Sequence, residues 1–195
     1  MKKFILLLGL MLCFATVAGT SQTEKVWVIN GKNIPAVSSA KTLVEHLAES
    51  LPDPQELKCL SKNIYFEAAV ESTAGKIAVA MVTMNRVRAT NYPNSICAVI
   101  KQGPHYSSGH PKRNRCQFSW YCDGKHDRPN ESPAWRISQK VAAYVIRTPT
   151  LIDITDGATH YHADYINTPR WALLKEKTVT IDTHLFYNKQ IDVKF

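Results

Sequence analysis

The chain has 195 residues, 45% hydrophobic and 21% charged, which fits a soluble globular protein with at most one sizeable domain. Lysine and arginine number 24 against 16 acidic residues, a net charge of +8. The positive charge is spread out without a long basic block, and a basic protein can meet nucleic acid, an anionic membrane surface or an anionic polymer. An export signal at the start of the chain argues against nucleic acid.

That signal is legible in the first residues. Lys2 and Lys3 precede an apolar run from Phe4 to about Ala18, and Ala18-Gly19-Thr20-Ser21 supply a small-residue exit. This pattern predicts a secretory signal peptide over 1–21. The run is shorter than the roughly 20 apolar residues of a membrane span, so no stable membrane anchor is expected after its removal. Cys13 lacks the small residues of a lipoprotein cleavage site. Removal takes two of the 24 basic residues and leaves 22 against 16 acidic ones, together with four cysteines: Cys59, Cys97, Cys116 and Cys122. An even count in an exported chain favours disulfides. Three pairings are open. Cys116 and Cys122 are close enough to staple a short loop, which would leave Cys59 with Cys97, and no C-x-x-C spacing marks a zinc site.

Residues 22–52 form a lead-in. Val26 to Lys32 reads as a strand ending in an Asn30-Gly31 turn, and 40–50 as a short helix with Leu43 and Leu47 on one side. Leu51-Pro52-Asp53-Pro54 breaks the chain, and the main domain is placed at 53–195. Asp53-Pro54-Gln55-Glu56 predicts a helix start, with Asp53 as N-cap, Pro54 at the first position and Glu56 closing a capping box. The helix is expected to run to about Glu71, with Leu57, Leu60, Ile64 and Ala68 on one apolar stripe. Glu67 and Glu71 fall on that same stripe and break its pattern.

A second helix is predicted from Ser72 or Thr73, with Ile77, Ala80, Met81, Met84 and Val87 at helical spacing. Gly75 near its start points to close packing or a local break. Asn91-Tyr92-Pro93-Asn94 ends that unit, and a short helix follows from Ser95 to about Gln102. Residues 103–133 make a long polar loop region, of the kind that is usually functional or disordered, and its cysteine pair argues for order. Ser132-Pro133 opens a helix to about Arg147 that buries Trp135, Val141 and Val145. Short strands are expected at 158–163 and 179–187.

A carboxyl group on an apolar face is penalised when ionised, so its pKa rises. A glutamic acid that stays protonated near neutral pH can donate a proton to a glycosidic oxygen, which makes Glu67 a candidate general acid. Glu71, four residues on, would project from the same helix surface. The two carboxylates of a retaining glycosidase flank the scissile bond, so Glu71 suits a tuning or structural role better than that of nucleophile.

From about Leu57 to Asn188 the chain resembles the SleB-type cell wall hydrolases. The stretches that carry the resemblance are Cys59-Leu60-Ser61-Lys62-Asn63-Ile64-Tyr65-Phe66-Glu67-Ala68, Glu71, Gly75, Ala78-Val79-Ala80 and Asn85-Arg86-Val87. Tyr92-Pro93, Ile96 to Ile100, Cys116 to Gly124, Gly157 to Ala163, Trp171 and His184 to Tyr187 complete it. The resemblance implies a lysozyme-like, mainly helical α+β fold with a small β element near the C-terminus. It implies Glu67 as the catalytic acid, peptidoglycan as the partner, and both cysteine pairs occurring together. Where the family commonly has Ala-Arg-Gly-Glu, this chain has Ala68-Ala69-Val70-Glu71.

With one obvious acid, the expected activity is that of an exported lytic transglycosylase cleaving between N-acetylmuramic acid and N-acetylglucosamine, without a cofactor. Muramidase-type hydrolysis of the same bond is the alternative. Gln117, Phe118 and Ser119 are expected to form a stapled cleft wall, with Thr159, His160 and Tyr161 in the cleft and Trp171 stacking on sugar. Two competing readings exist. His160 and His162 on one strand face, with His184, could hold zinc in a stem-peptide peptidase, although H-E-x-x-H is absent and no metal site is assigned. A non-catalytic wall-binding module would draw on the positive charge and the lead-in strand.

Overall fold

The computed structural model describes residues 26–29, 32–35 and 51–190. The signal peptide expected over 1–21 and the helix expected over 40–50 lie outside the described residues. The chain divides into two units, 1–47 and 48–195. In the first, β1 (Val26–Ile29) pairs antiparallel with β2 (Lys32–Pro35), with Ile29 opposite Lys32. The strand expected before Asn30-Gly31 is therefore one arm of a hairpin.

In the second unit, α1 (Pro54–Ala68) begins as the sequence predicts: Asp53 caps it by accepting from the Gln55 N–H at 2.7 Å, and Pro54 sits in the first turn. The capping box does not form. Glu56 turns instead to α3 (Ile96–Ile100) and accepts from the N–H groups of Ile96 at 2.6 Å and Cys97 at 3.2 Å. The orphan amides of a second helix compete for the carboxylate and win. The helix also ends earlier than expected. Ala69 is its C-cap, so Glu71 lies in the turn that follows.

That turn leads into α2 (Thr73–Arg88), capped by Ser72. Ala78, Val79, Ala80, Met81, Val82 and Thr83 each expose 1% or less, so α2 is buried around most of its circumference. The positions expected at helical spacing do not mark its buried side alone: Ile77, Met84 and Val87 are half-buried, while Ala78, Val79, Val82 and Thr83 between them are closed to solvent. A helix enclosed on all sides does not show a one-sided pattern. On one side α2 joins α1, α3 and α4 (Pro133–Arg147) around Leu60, Ile64, Val99, Ile100 and Ala142. On the other, Ala78 and Val82 pack against Ala158, just before the C-terminal sheet, and Phe186 within it.

The sheet has three antiparallel strands in the order β3 (His160–Ala163), β5 (His184–Gln190), β4 (Lys175–Ile181). The segment expected as one strand over 179–187 is a hairpin that turns at Asp182-Thr183, with Asp182 at a positive φ of 48°. Gly75 shows why it is a glycine: a Cβ there would lie 2.8 Å from the Glu71 Cβ and would also collide with the Asp182 carboxylate. Asp182 accepts from the Ser72 N–H at 2.9 Å and its hydroxyl at 2.7 Å, which ties the hairpin tip to the start of α2. Two disulfides, Cys59–Cys97 and Cys116–Cys122, brace the unit.

Candidate active site

Glu67 stands in the last turn of α1 at the wall of a cleft of about 440 Å³. Three segments bring its surroundings together. The loop closed by Cys116–Cys122 supplies Gln117, Phe118, Ser119 and Trp120. Strand β3 and the residues after it supply Tyr161, His162, Tyr165 and Ile166. From the core, α2 contributes Arg86. Trp120 is held at a set height in the wall. Its indole N–H donates to Asn63 Oδ1 at 2.9 Å, and Asn63 donates in turn to Thr83 Oγ1 at 3.1 Å. Both Asn63 and Thr83 are fully buried, so this chain links α2, α1 and the stapled loop. Phe66 stacks on Trp120 with centroids 4.7 Å apart, and the pair forms an apolar lip beside the acid.

The electrostatics favour a protonated Glu67. Burial pushes its carboxyl above the ordinary range, and the hydrogen bond from the Tyr161 hydroxyl at 3.0 Å and the charge of Arg86 act against that rise. Its position at the C-terminal end of α1 also disfavours the anion. Burial, followed by the neighbouring Glu67, pushes the Tyr161 phenol up, so it remains a donor. Arg86 exposes only 4%; its Nε donates to the Thr159 carbonyl at 2.7 Å, and its Cζ lies 4.9 Å from the Phe118 ring centroid. Its Nη1 is buried without a hydrogen-bond partner among the described residues. A guanidinium keeps its charge even there, so the site pairs one acid with one fixed cation.

The structure brings Glu67, Gln117, Phe118, Ser119, Tyr161 and Trp171 to one cleft. Phe118 is 2% exposed and serves largely as the platform beneath Arg86. Thr159 and His160 do not line the cleft. Thr159 holds Arg86 through its carbonyl, and its hydroxyl meets His160 Nδ1 at 2.9 Å. Burial, with Lys175 and Arg86 adding, lowers the His160 pKa to about 4, so the ring is neutral near pH 7. Glu71 does not share a helix face with Glu67. It accepts from the Thr183 hydroxyl at 2.7 Å and N–H at 3.3 Å, which gives it the structural role.

The histidines do not converge on a metal position. His162 Nδ1 lies 2.9 Å from the Ala163 carbonyl and Nε2 3.0 Å from the Tyr187 hydroxyl, so both nitrogens are engaged. Among the described residues no group of three His, Cys, Asp or Glu side chains is placed to hold a metal ion. Sequence reasoning missed Tyr165, Ile166 and Pro169 at the cleft and, most consequentially for its charge, Arg86. It stood within Asn85-Arg86-Val87, but a cation on a helix reads as surface until the burial of α2 is known.

A family model described as cell wall hydrolase matches residues 70–187, that is 118 of 195 residues. The chain belongs to the cell wall hydrolase family. The matched stretch begins three residues after Glu67. Among curated proteins it is similar to the spore cortex-lytic enzyme of Bacillus cereus, 23% identical over 169 residues. That alignment takes in 86% of this chain and 52% of the relative, so the chain spans about half the length of the curated relatives it matches.

Two solved structures share the fold. One is the catalytic domain of the Bacillus cereus SleB protein, at 24% identity and TM-score 0.53, covering 71% of this chain and 96% of that one. The other is the catalytic domain of the germination-specific lytic transglycosylase SleB from Bacillus anthracis, at 24% identity and TM-score 0.54, covering 70% and 97%. This member of the cell wall hydrolase family thus has the mainly helical α+β fold with a small C-terminal sheet.

Proposed function

We propose that this hydrolase cleaves the peptidoglycan strand between N-acetylmuramic acid and N-acetylglucosamine as a lytic transglycosylase, with Glu67 as the only catalytic acid–base. One observation carries the reading: among the described residues lining the cleft, Glu67 is the one carboxylate. Asp123 and Asp127 line an adjoining hollow of about 300 Å³ instead. A protonated Glu67 gives its proton to the leaving glycosidic oxygen as the C1–O bond breaks. The resulting carboxylate, accepting from Tyr161 and facing Arg86, then takes the proton of the muramic C6 hydroxyl. That oxygen closes on C1 to form a 1,6-anhydro ring, and no water is consumed. Hydrolysis would need a second group to activate water.

The leader-like start and the two disulfides support action outside the cytoplasm, in the periplasm or on the extracellular wall. Purified protein incubated with peptidoglycan and analysed by mass spectrometry tests the proposal. Anhydro-muropeptides are expected. Reducing muramic ends would replace transglycosylation by hydrolysis, and intact strands, or full activity from Glu67→Gln, would remove the assignment altogether.

A further inference from the structure

Beyond the cleft, the adjoining hollow shares Phe66, Ser119 and Trp120 with it, and shares Trp120 and Asp127 with a third cavity of about 480 Å³. The three adjoin one another in a row along these shared residues, here called the groove. The far basin has an apolar floor of Ile100, Trp120 and Tyr121, and three lysines at its edge: Lys58, Lys62 and Lys101. Lys58 and Lys62 are one turn apart on α1, on the row that continues to Phe66. At about 1.5 Å per residue they lie about 13 and about 7 Å along the helix from Glu67. The Cys59–Cys97 disulfide joins α1 to α3 beside the basin, and Lys101 is the C-cap of α3.

None of the three is ion-paired with another described residue, and Asp127 is the one acidic residue in the basin. Burial pushes the Lys62 ammonium below the usual lysine range; Asp127 opposes this, while Lys58, Lys101 and Arg128 add to it. Cations are thus gathered at one basin with little negative charge among them, beside the apolar side chains of Ile100, Trp120 and Tyr121.

We infer that this basin binds a carboxylate carried by the wall polymer while the glycan strand lies in the cleft at Glu67. The assignment rests on the glycan-cleaving reading, because it takes the groove as the path of that strand. The carboxylate has two possible sources, the free carboxylates of a stem peptide and the lactyl group of a stem-free muramic residue.

Binding of the full chain is measured in a Glu67→Gln background, so that the wall stays uncut, with and without Lys58→Gln/Lys62→Gln/Lys101→Gln. On untreated peptidoglycan the triple change is expected to weaken binding about tenfold, the scale of three partly solvated charge pairs, and the difference should shrink at high salt. On peptidoglycan whose carboxylates are capped with a neutral amine, the two proteins should bind alike. Amidase-stripped strands separate the sources: a persisting loss assigns the lactyl carboxylate, and a vanished one the stem.

Replacing the three lysines by arginine keeps the charge and should preserve binding, with melting curves checking the fold of each protein. Equal binding to untreated wall, an undiminished loss on capped wall, or a folded arginine variant that fails to bind would overturn the basin. Failure of the glycan-cleaving reading shows separately, as a wild-type protein that yields no cleaved strands whatever the lysines do.

Discussion

Asn63 offers the sharpest test of how the cleft wall is held. It is fully buried, accepts from the Trp120 indole N–H at 2.9 Å and donates to Thr83 Oγ1 at 3.1 Å. Asn63→Leu keeps the branching at Cγ but removes both partners. The Trp120 N–H is then stranded in a nearly closed site, a cost of about 1–3 kcal/mol, while Thr83 still donates to the Val79 carbonyl. We expect about 2–3 kcal/mol lost by urea unfolding and a melting temperature lowered by about 5–10 °C.

Trp120→Phe strands the Asn63 oxygen and should cost a similar amount, while the double variant strands nothing between the pair. The double change should therefore be less damaging than the sum of the singles by about 1–2 kcal/mol. Activity should fall in each single variant by more than the folded fraction does, because the lip formed with Phe66 shifts. Additivity within about 0.5 kcal/mol would refute the coupling, and with it the claim that this chain of hydrogen bonds sets the wall.

Further outcomes are expected at Glu67, at His160 and at the two disulfides. Glu67→Gln should lower kcat by about 10²–10⁴-fold, the usual contribution of a general acid. Because burial raises the Glu67 pKa above 4.5, the folded protein holds the proton more tightly, and Glu67 costs stability as pH rises above that value. The inactive variant should then melt higher than wild type at pH 7, with the gap closing below about pH 4.5. His160 acts in the opposite sense. Its pKa falls from 6.5 to about 4, so its stabilising contribution is present above 6.5 and lost as pH drops through about 4, which its ring signals in an NMR titration should follow. Removing Cys59–Cys97, which spans 38 residues, should cost about 4 kcal/mol. Removing Cys116–Cys122, which spans 6, should cost about 2 kcal/mol but reduce activity more, because it holds Gln117 to Trp120.

Much of this was legible in the chain itself because the determining interactions are local. Asp53-Pro54, Ser72 and Ser132-Pro133 start helices by capping their own amides, and the structure places α1, α2 and α4 at those signals. Glu67 was visible as a carboxyl group on a stripe that ought to be apolar, and its burial in the cleft is the consequence. The remainder depended on residues far apart in the chain. Glu56 looked like a capping-box residue until α3 offered it better donors from 40 residues away. Glu71 looked like a helix partner of Glu67 until the Asp182-Thr183 hairpin claimed it across 112 residues.

Arg86 could not be distinguished from a surface arginine, since only the packing of helices on one side of α2 and the sheet on the other removes its water. The candidacy of Glu67 as an acid is thus a property of the sequence pattern. The balance at that acid, with burial raising its pKa against Tyr161 and Arg86, exists only in the folded molecule, because desolvation and a hydrogen bond across 94 residues have no counterpart along the chain.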